Sequence, residues 1–134
     1  MRVVVLLIAF LLGPLAIAGA AEDVAAAQTV IKSQEEAFGR DDAAEAYTFA
    51  SPGIRSWYPT PETFMSMVRK GYAPVYRHRS FEFGEAKVSD GKIVQQVHIV
   101  DADGVAWEAL YTLERQDDGS LKISACLLTK AIIS

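Results

Sequence analysis

The sequence predicts an α+β domain in which three N-terminal helices pack on a curved four-stranded antiparallel sheet. Two observations carry that expectation. Apolar residues recur at helical spacing as far as Val68, and at every second position beyond Ser80. The dipeptides Asp90-Gly91, Asp103-Gly104 and Asp118-Gly119 then divide the second half into runs of strand length. Asp tolerates and Gly favours positive φ, the backbone that tight hairpin turns demand. The strand runs begin at Phe81 and Phe83, then cover Ile93 to Val100, Val105 to Leu113 and Leu121 to Leu128. A meander is their simplest connection.

The helices follow from local chemistry. Val24, Ala27, Ile31 and Phe38 share one face of a first helix, with Lys32, Glu35 and Glu36 elsewhere on it, and Gly39 ends it. Asp42 and Glu45 have the spacing of a capping box, so a second helix runs through Ala46 and Phe49 until Ser51-Pro52-Gly53. Thr60-Pro61-Glu62-Thr63 starts a third: Thr caps, Pro tolerates the first turn, and Glu complements the helix dipole. Phe64, Met67 and Val68 face inward from it. Gly71 is its expected stop, and Pro74 opposes a simple continuation through Tyr76.

The first residues carry an address. Arg2, an apolar run from Val3 to Leu12, the Gly13-Pro14 break and Ala18-Gly19-Ala20 form the three-part layout of a secretory signal peptide. Cleavage is expected near Ala20, leaving residues 21–134 as one periplasmic or secreted domain. The run is short for a membrane span and Gly13-Pro14 interrupts it, which counts against a retained anchor. What remains is long enough to bury roughly two-thirds of its unfolded surface.

Charge and cysteine usage narrow the function classes. With 13 basic and 17 acidic residues the chain is at −4, and losing Arg2 makes it more acidic. That balance disfavours nucleic acid, or an anionic membrane after leader removal, as a partner. Lone Cys126 cannot close an intrachain disulfide, and the histidines supply no metal-ligand spacing, so neither metal nor cofactor is expected.

The order of elements resembles the cone-shaped nuclear-transport-factor-like superfamily, which shares its layout with cystatin-like folds. More narrowly, Gln34-Glu35-Glu36-Ala37-Phe38, Asp41-Asp42, Phe49-Ala50-Ser51-Pro52, Phe64, Met67-Val68, Tyr72 and Val75-Tyr76 look like a family of short exported bacterial proteins that is itself uncharacterised. The resemblance implies a pocket between the helices and the concave sheet face. In some members of the wider superfamily that pocket binds a hydrophobic ligand; in others it houses isomerase or dehydratase chemistry built on an Asp with Tyr or His partners. No such catalytic set aligns to this chain, and fold analogy alone does not establish function.

Residues 63–80 carry Arg69, Lys70, Arg77 and Arg79 with no acid, beside Tyr72, Tyr76 and His78. Such a strip suits a carboxylate, a phosphate or an acidic protein, or else it is a solvated helix end. Trp57 and Tyr58 precede the third helix, while Trp107 and Tyr111 alternate with Val105, Ala109 and Leu113 on one strand face. The candidate ligand-binding set is therefore Trp57, Tyr58, Tyr72, Tyr76, Arg77, Arg79, Trp107 and Tyr111, weighed against simple core packing of the aromatics. His98 is the candidate general base, but Glu108, its natural partner, lies opposite in phase to Trp107. Asp101, Asp103 and Asp41-Asp42 have conformational explanations in turns and caps.

The leading expectation is a non-catalytic domain that binds a small, partly apolar ligand, neutral or anionic, or a partner protein. The runner-up is a cofactor-free lyase or isomerase using His98 or a buried Tyr. Cys126 and Leu128, with Ala106 and Leu110, are expected on an outer sheet face fit for a twofold homodimer. N-terminal sequencing of protein recovered from the periplasm of an expressing bacterium is expected to start just after Ala20. A product that retains the Met1 end would overturn the leader assignment.

Overall fold

Positive φ falls where the Asp-Gly dipeptides stand: Asp90 at 51°, Gly91 at 75°, Gly104 at 83° and Gly119 at 87°. Each turn reverses a strand. The computed structural model describes the backbone of residues 2–132 and the side chains of residues 19–132. Its sheet holds β1 (His78–Ser89), β2 (Lys92–Asp101), β3 (Ala106–Arg115) and β4 (Leu121–Lys130). They lie in the order β1-β2-β3-β4, every neighbour antiparallel, which is the expected meander.

Alternation sets the two faces. Ile93, Gln95, Val97 and Ile99 of β2, with Ala109, Tyr111 and Leu113 of β3, are buried against the helices. His98 and Leu110 point the other way and are exposed. Besides a register shift at the start of β1 between His78 and Ser80, two bulges interrupt the pairing, and an extra residue in one strand bends it. The first interrupts β1 between Phe83 and Ala86. Buried Gln95 stabilises it, donating its Nε2 to the carbonyls of Gly84 at 3.2 Å and Glu85 at 3.3 Å while its Oε1 accepts from Gln28 at 3.1 Å. A Cβ at position 84 would stand 2.7 Å from both Gln96 Oε1 and His98 Nε2, so a larger residue there must displace those side-chain ends.

The second bulge changes what faces inward. Leu113 pairs with Ile123 and Thr112 with Ala125, so Ser124 is the extra residue of β4. A slip of one residue moves every later side chain to the opposite face. Leu121 and Ile123 are buried before it; Cys126 and Leu128 pack on the core after it. The expectation that Cys126 and Leu128 share an outer face with Leu110 is thereby corrected. Leu110 is paired instead with Leu127, and these two are 41% and 61% exposed.

Five helices, not three, stand among the described residues: α1 (Arg2–Gly39), α2 (Ala43–Thr48), α3 (Pro52–Trp57), α4 (Pro61–Gly71) and α5 (Ala73–Tyr76). α1 starts well before Val24, while the leader reading rests on side chains before residue 19, outside the described ones. α3 forms because Ser51 is a cap: its Oγ accepts from Ile54 N at 3.4 Å, and Pro52 occupies the first turn. α5 uses Pro74 in the same way, after Tyr72 has closed α4. The α4 cap is the expected Thr60, with its box completed by Thr63. Asp42 caps α2 through the Glu45 amide at 3.1 Å.

The core lies between α1, α4 and the inner sheet face, where Ile31, Phe38, Phe64 and Met65 meet Val97, Ile99, Leu113 and Ile123. Leu113→Ala is expected to cost about 2–5 kcal/mol in urea unfolding, as buried leucine truncations do. Leu110→Ala, on the outer face, is expected to cost about 1 kcal/mol or less. The reverse ranking would overturn the face assignment.

Candidate functional site

Cys126 and Tyr111 pair across β4 and β3, both packed toward the helices. Between them and the helices lies a cavity of about 320 Å³. Gln34 and Phe38 of α1, and Phe64, Met67 and Val68 of α4, wall it; Tyr111, Ile123 and Cys126 form its floor; Ile54, Tyr58 and Tyr72 stand around it.

The surrounding chain is tied to β4. Ile123 donates to the Phe49 carbonyl and accepts from Ser51 N, both at 2.8 Å, so the Phe49–Ser51 segment covers the strand edge beside the bulge. α3 then brings Ile54 and Tyr58 to the cavity, and the Tyr47 hydroxyl fixes the Tyr58 carbonyl at 2.7 Å. From the other side, the Tyr72 hydroxyl donates to the Cys126 carbonyl at 3.0 Å. This joins the α4–α5 corner to β4.

Burial governs the electrostatics. It pushes the Cys126 thiol up to about 12 and raises Tyr111 well above the usual phenol value, with the nearby Cys126 adding to the latter. Tyr72 is raised as well, by burial first and then by Cys126 and Tyr58. These groups hold their protons at neutral pH. No Lys, Arg, His, Asp or Glu lines the cavity among the described residues.

A second cluster fastens the helices above it. Asp41, at φ 57°, accepts from the Tyr76 hydroxyl, and Arg77 Nη2 reaches its two oxygens at 3.0 and 3.1 Å. Arg77 also donates to the Phe38 carbonyl at 2.8 Å and lies 4.0 Å over the Tyr76 ring. Arg69 sits on the same ring at 5.6 Å. The Tyr76 hydrogen bond, followed by Arg77, holds the Asp41 carboxyl below its usual value. Next along the chain, His78 bridges Glu35 Oε2 at 2.6 Å and the Pro74 carbonyl at 3.0 Å. Lys32 pairs with the other Glu35 oxygen at 2.8 Å.

The eight sequence candidates thus divide. Tyr58, Tyr72 and Tyr111 meet in the cavity. Tyr76 and Arg77 belong to the Asp41 cluster, where the strip's charge is met by an acid outside the 63–80 window. Arg79 extends to the β2–β3 turn beside Gly104. Trp107 donates to Asp101 Oδ2 at 2.9 Å under Lys130, in a separate groove between that turn and the α4–α5 corner. Trp57 is 82% exposed and lines no part of the cavity. His98 is on the outer face, 3.5 Å from Glu108, with both side chains about half exposed. It is the wrong face for cavity chemistry.

Sequence reasoning missed Gln34, Cys126 and Asp41. Gln34 carries a readable signal: it stands three residues after Ile31 and four before Phe38, a polar residue in an apolar stripe. Comparison with known proteins gives one match: a family model described as a domain of unknown function (DUF4864) covers residues 20–132. Neither a curated protein nor a solved structure matches the chain.

Asp41 generates a pH prediction. Its folded value is lowered, so its contribution is present above the ordinary 3.8 and is lost as pH falls through the folded value. Asp41→Asn, which keeps a residue tolerant of positive φ, is expected to lower the thermal midpoint at pH 7. The gap to the parent protein closes in strong acid. A gap that stays constant across the titration would show that Asp41 acts otherwise.

Proposed function

Since the chain belongs to the domain-of-unknown-function family DUF4864, which supplies no activity to adopt, we propose from its own geometry that it is a non-catalytic binding domain. The ligand is small, mainly apolar and neutral, and it occupies the cavity between the helices and β3–β4. One observation carries the reading: about 320 Å³ of space lined by aromatic and aliphatic side chains, with a few polar atoms and no charge among the described residues. That is the small end of the range for ligand pockets. The absence of a lining cation favours a neutral ligand over an anionic one.

The catalytic alternative has less support. General acid–base work needs a group whose proton is exchangeable near neutral pH within reach of the reacting atom. Cys126, Tyr111 and Tyr72 are all shifted away from that range, and His98 lies on the outer face.

The proposal extends to the rest of the molecule. Helices gathered on the inner face of a bent sheet support a cone-like assignment within the nuclear-transport-factor-like superfamily. Export through the N-terminal leader is part of the reading. So is twofold pairing of outer sheet faces, with Leu110 and Leu127 in the role first given to Cys126 and Leu128.

Naphthalene serves as a neutral apolar probe. It is expected to raise the thermal midpoint saturably, because a ligand that binds only the folded state stabilises it. Met67→Trp, which fills the cavity from α4, is expected to abolish that response without lowering the ligand-free midpoint. No response to naphthalene in the parent protein would overturn the cavity as a binding site.

A further inference from the structure

A polar group on a cavity wall recognises a ligand only through donor or acceptor capacity that the protein has not already used. The inner wall of this cavity commits several donors to backbone carbonyls and leaves a buried acceptor open. Gln34 is 5% exposed, and its Nε2 donates to the Ala46 carbonyl at 3.1 Å. A carbonyl only accepts, so that contact decides which way the amide is turned. Gln34 Oε1 is left without a partner among the described residues.

The neighbouring groups repeat the pattern. Tyr72 donates to the Cys126 carbonyl at 3.0 Å, and Ser124 donates to the Thr112 carbonyl at 3.2 Å. The Tyr111 side chain stands opposite Cys126 across the strands. Gln34, Tyr72 and Ser124 each commit one N–H or O–H to the protein, and each keeps oxygen lone pairs. Tyr58, half-buried at the edge, differs: its backbone carbonyl is bonded but its hydroxyl is free to donate. The open buried acceptor, Gln34 Oε1, therefore belongs to the inner wall.

A ligand oxygen pushed against Gln34 Oε1 meets lone pairs and loses its water without replacement. A ligand O–H or N–H meets an acceptor. Leaving a buried polar group unpaired costs more than a formed hydrogen bond gains, so the wall discriminates by penalty as well as by attraction. On the binding reading given above, we propose that the cavity selects neutral, mainly apolar molecules carrying one hydroxyl or N–H donor at the buried end, with Gln34 Oε1 as the receiving atom.

Isothermal titration of the purified protein with naphthalene, β-naphthol and β-naphthol methyl ether tests this. β-Naphthol is expected to bind more than about twofold and up to about tenfold more tightly than either relative, the span that one neutral hydrogen bond supplies. In Gln34→Met that advantage is expected to vanish while naphthalene binding persists. Three affinities within about twofold of one another would overturn the donor assignment and leave the binding reading standing. An advantage undiminished in folded Gln34→Met would remove Gln34 as the receiver. No binding by any of the three would overturn both readings. The comparison in the unaltered protein decides the ligand class even where Gln34→Met does not fold.

Discussion

Ser124 has no residue of its own opposite it in β3, and the direction of every later side chain in β4 depends on that slip. Under strict alternation from Leu121 and Ile123, position 126 would face solvent and Ala125 and Leu127 would face the helices. The bulge reverses this. It sets Cys126 beside Tyr111 and leaves Ser124 free to bond the Thr112 carbonyl. A bulge also bends its strand, and the residues redirected by this one, Cys126 among them, line the cavity.

The bend requires the strand edge to be finished differently along its length. At Ile123 both edge groups are taken by the Phe49–Ser51 segment, and at Cys126 the carbonyl is taken by a phenol. An uncovered edge is a template for another strand, and here backbone and side chain cover it in turn. The chain between these contacts forms α3 and α4, which is why Tyr58 and Tyr72 stand on either side of the same opening. The Asp41 cluster adds no deep burial. Exposed ion pairs contribute little individually, but Arg77 also bonds the last turn of α1 through the Phe38 carbonyl. Its effect is to hold the α4–α5 corner in one orientation over the floor.

The sequence makes some of this readable and conceals the rest for physical reasons. Alternation and Asp-Gly turns are local, so the meander, the shared face of Trp107 and Tyr111 and the divergence of Glu108 from Trp107 follow from spacing alone, whereas the mixed residues of β2 leave the phase of His98 open. Caps are local too, although the rule applied at Thr60-Pro61 was not applied at Ser51-Pro52, where Gly53 suggested a stop. The bulges are not local. Ser124 is an ordinary strand residue by composition, and its slip is decided by packing across β3 and by the Phe49–Ser51 segment. Likewise the strip around Arg77 looks free of acids only along the chain, because Asp41 reaches it from 36 residues away. Of the candidate site, the aromatic floor was legible; the polar wall supplied by Gln34 and the bulge was not.

The burial that makes the cavity also restricts its chemistry. Removing water from Cys126 and Tyr111 disfavours their charged forms, so the groups nearest a bound molecule are those least able to act as bases. The same dehydration strengthens whatever neutral hydrogen bonds remain and penalises any that fail to form. A site with no charge among its described lining residues, whose phenols and thiol keep their protons, is suited to matching rather than to reacting. On the proposed reading, polarity on the wall serves recognition. Gln34, placed in the middle of an apolar helix stripe, has only one of its two polar ends answered by the fold, and the other end faces the question that a ligand would answer.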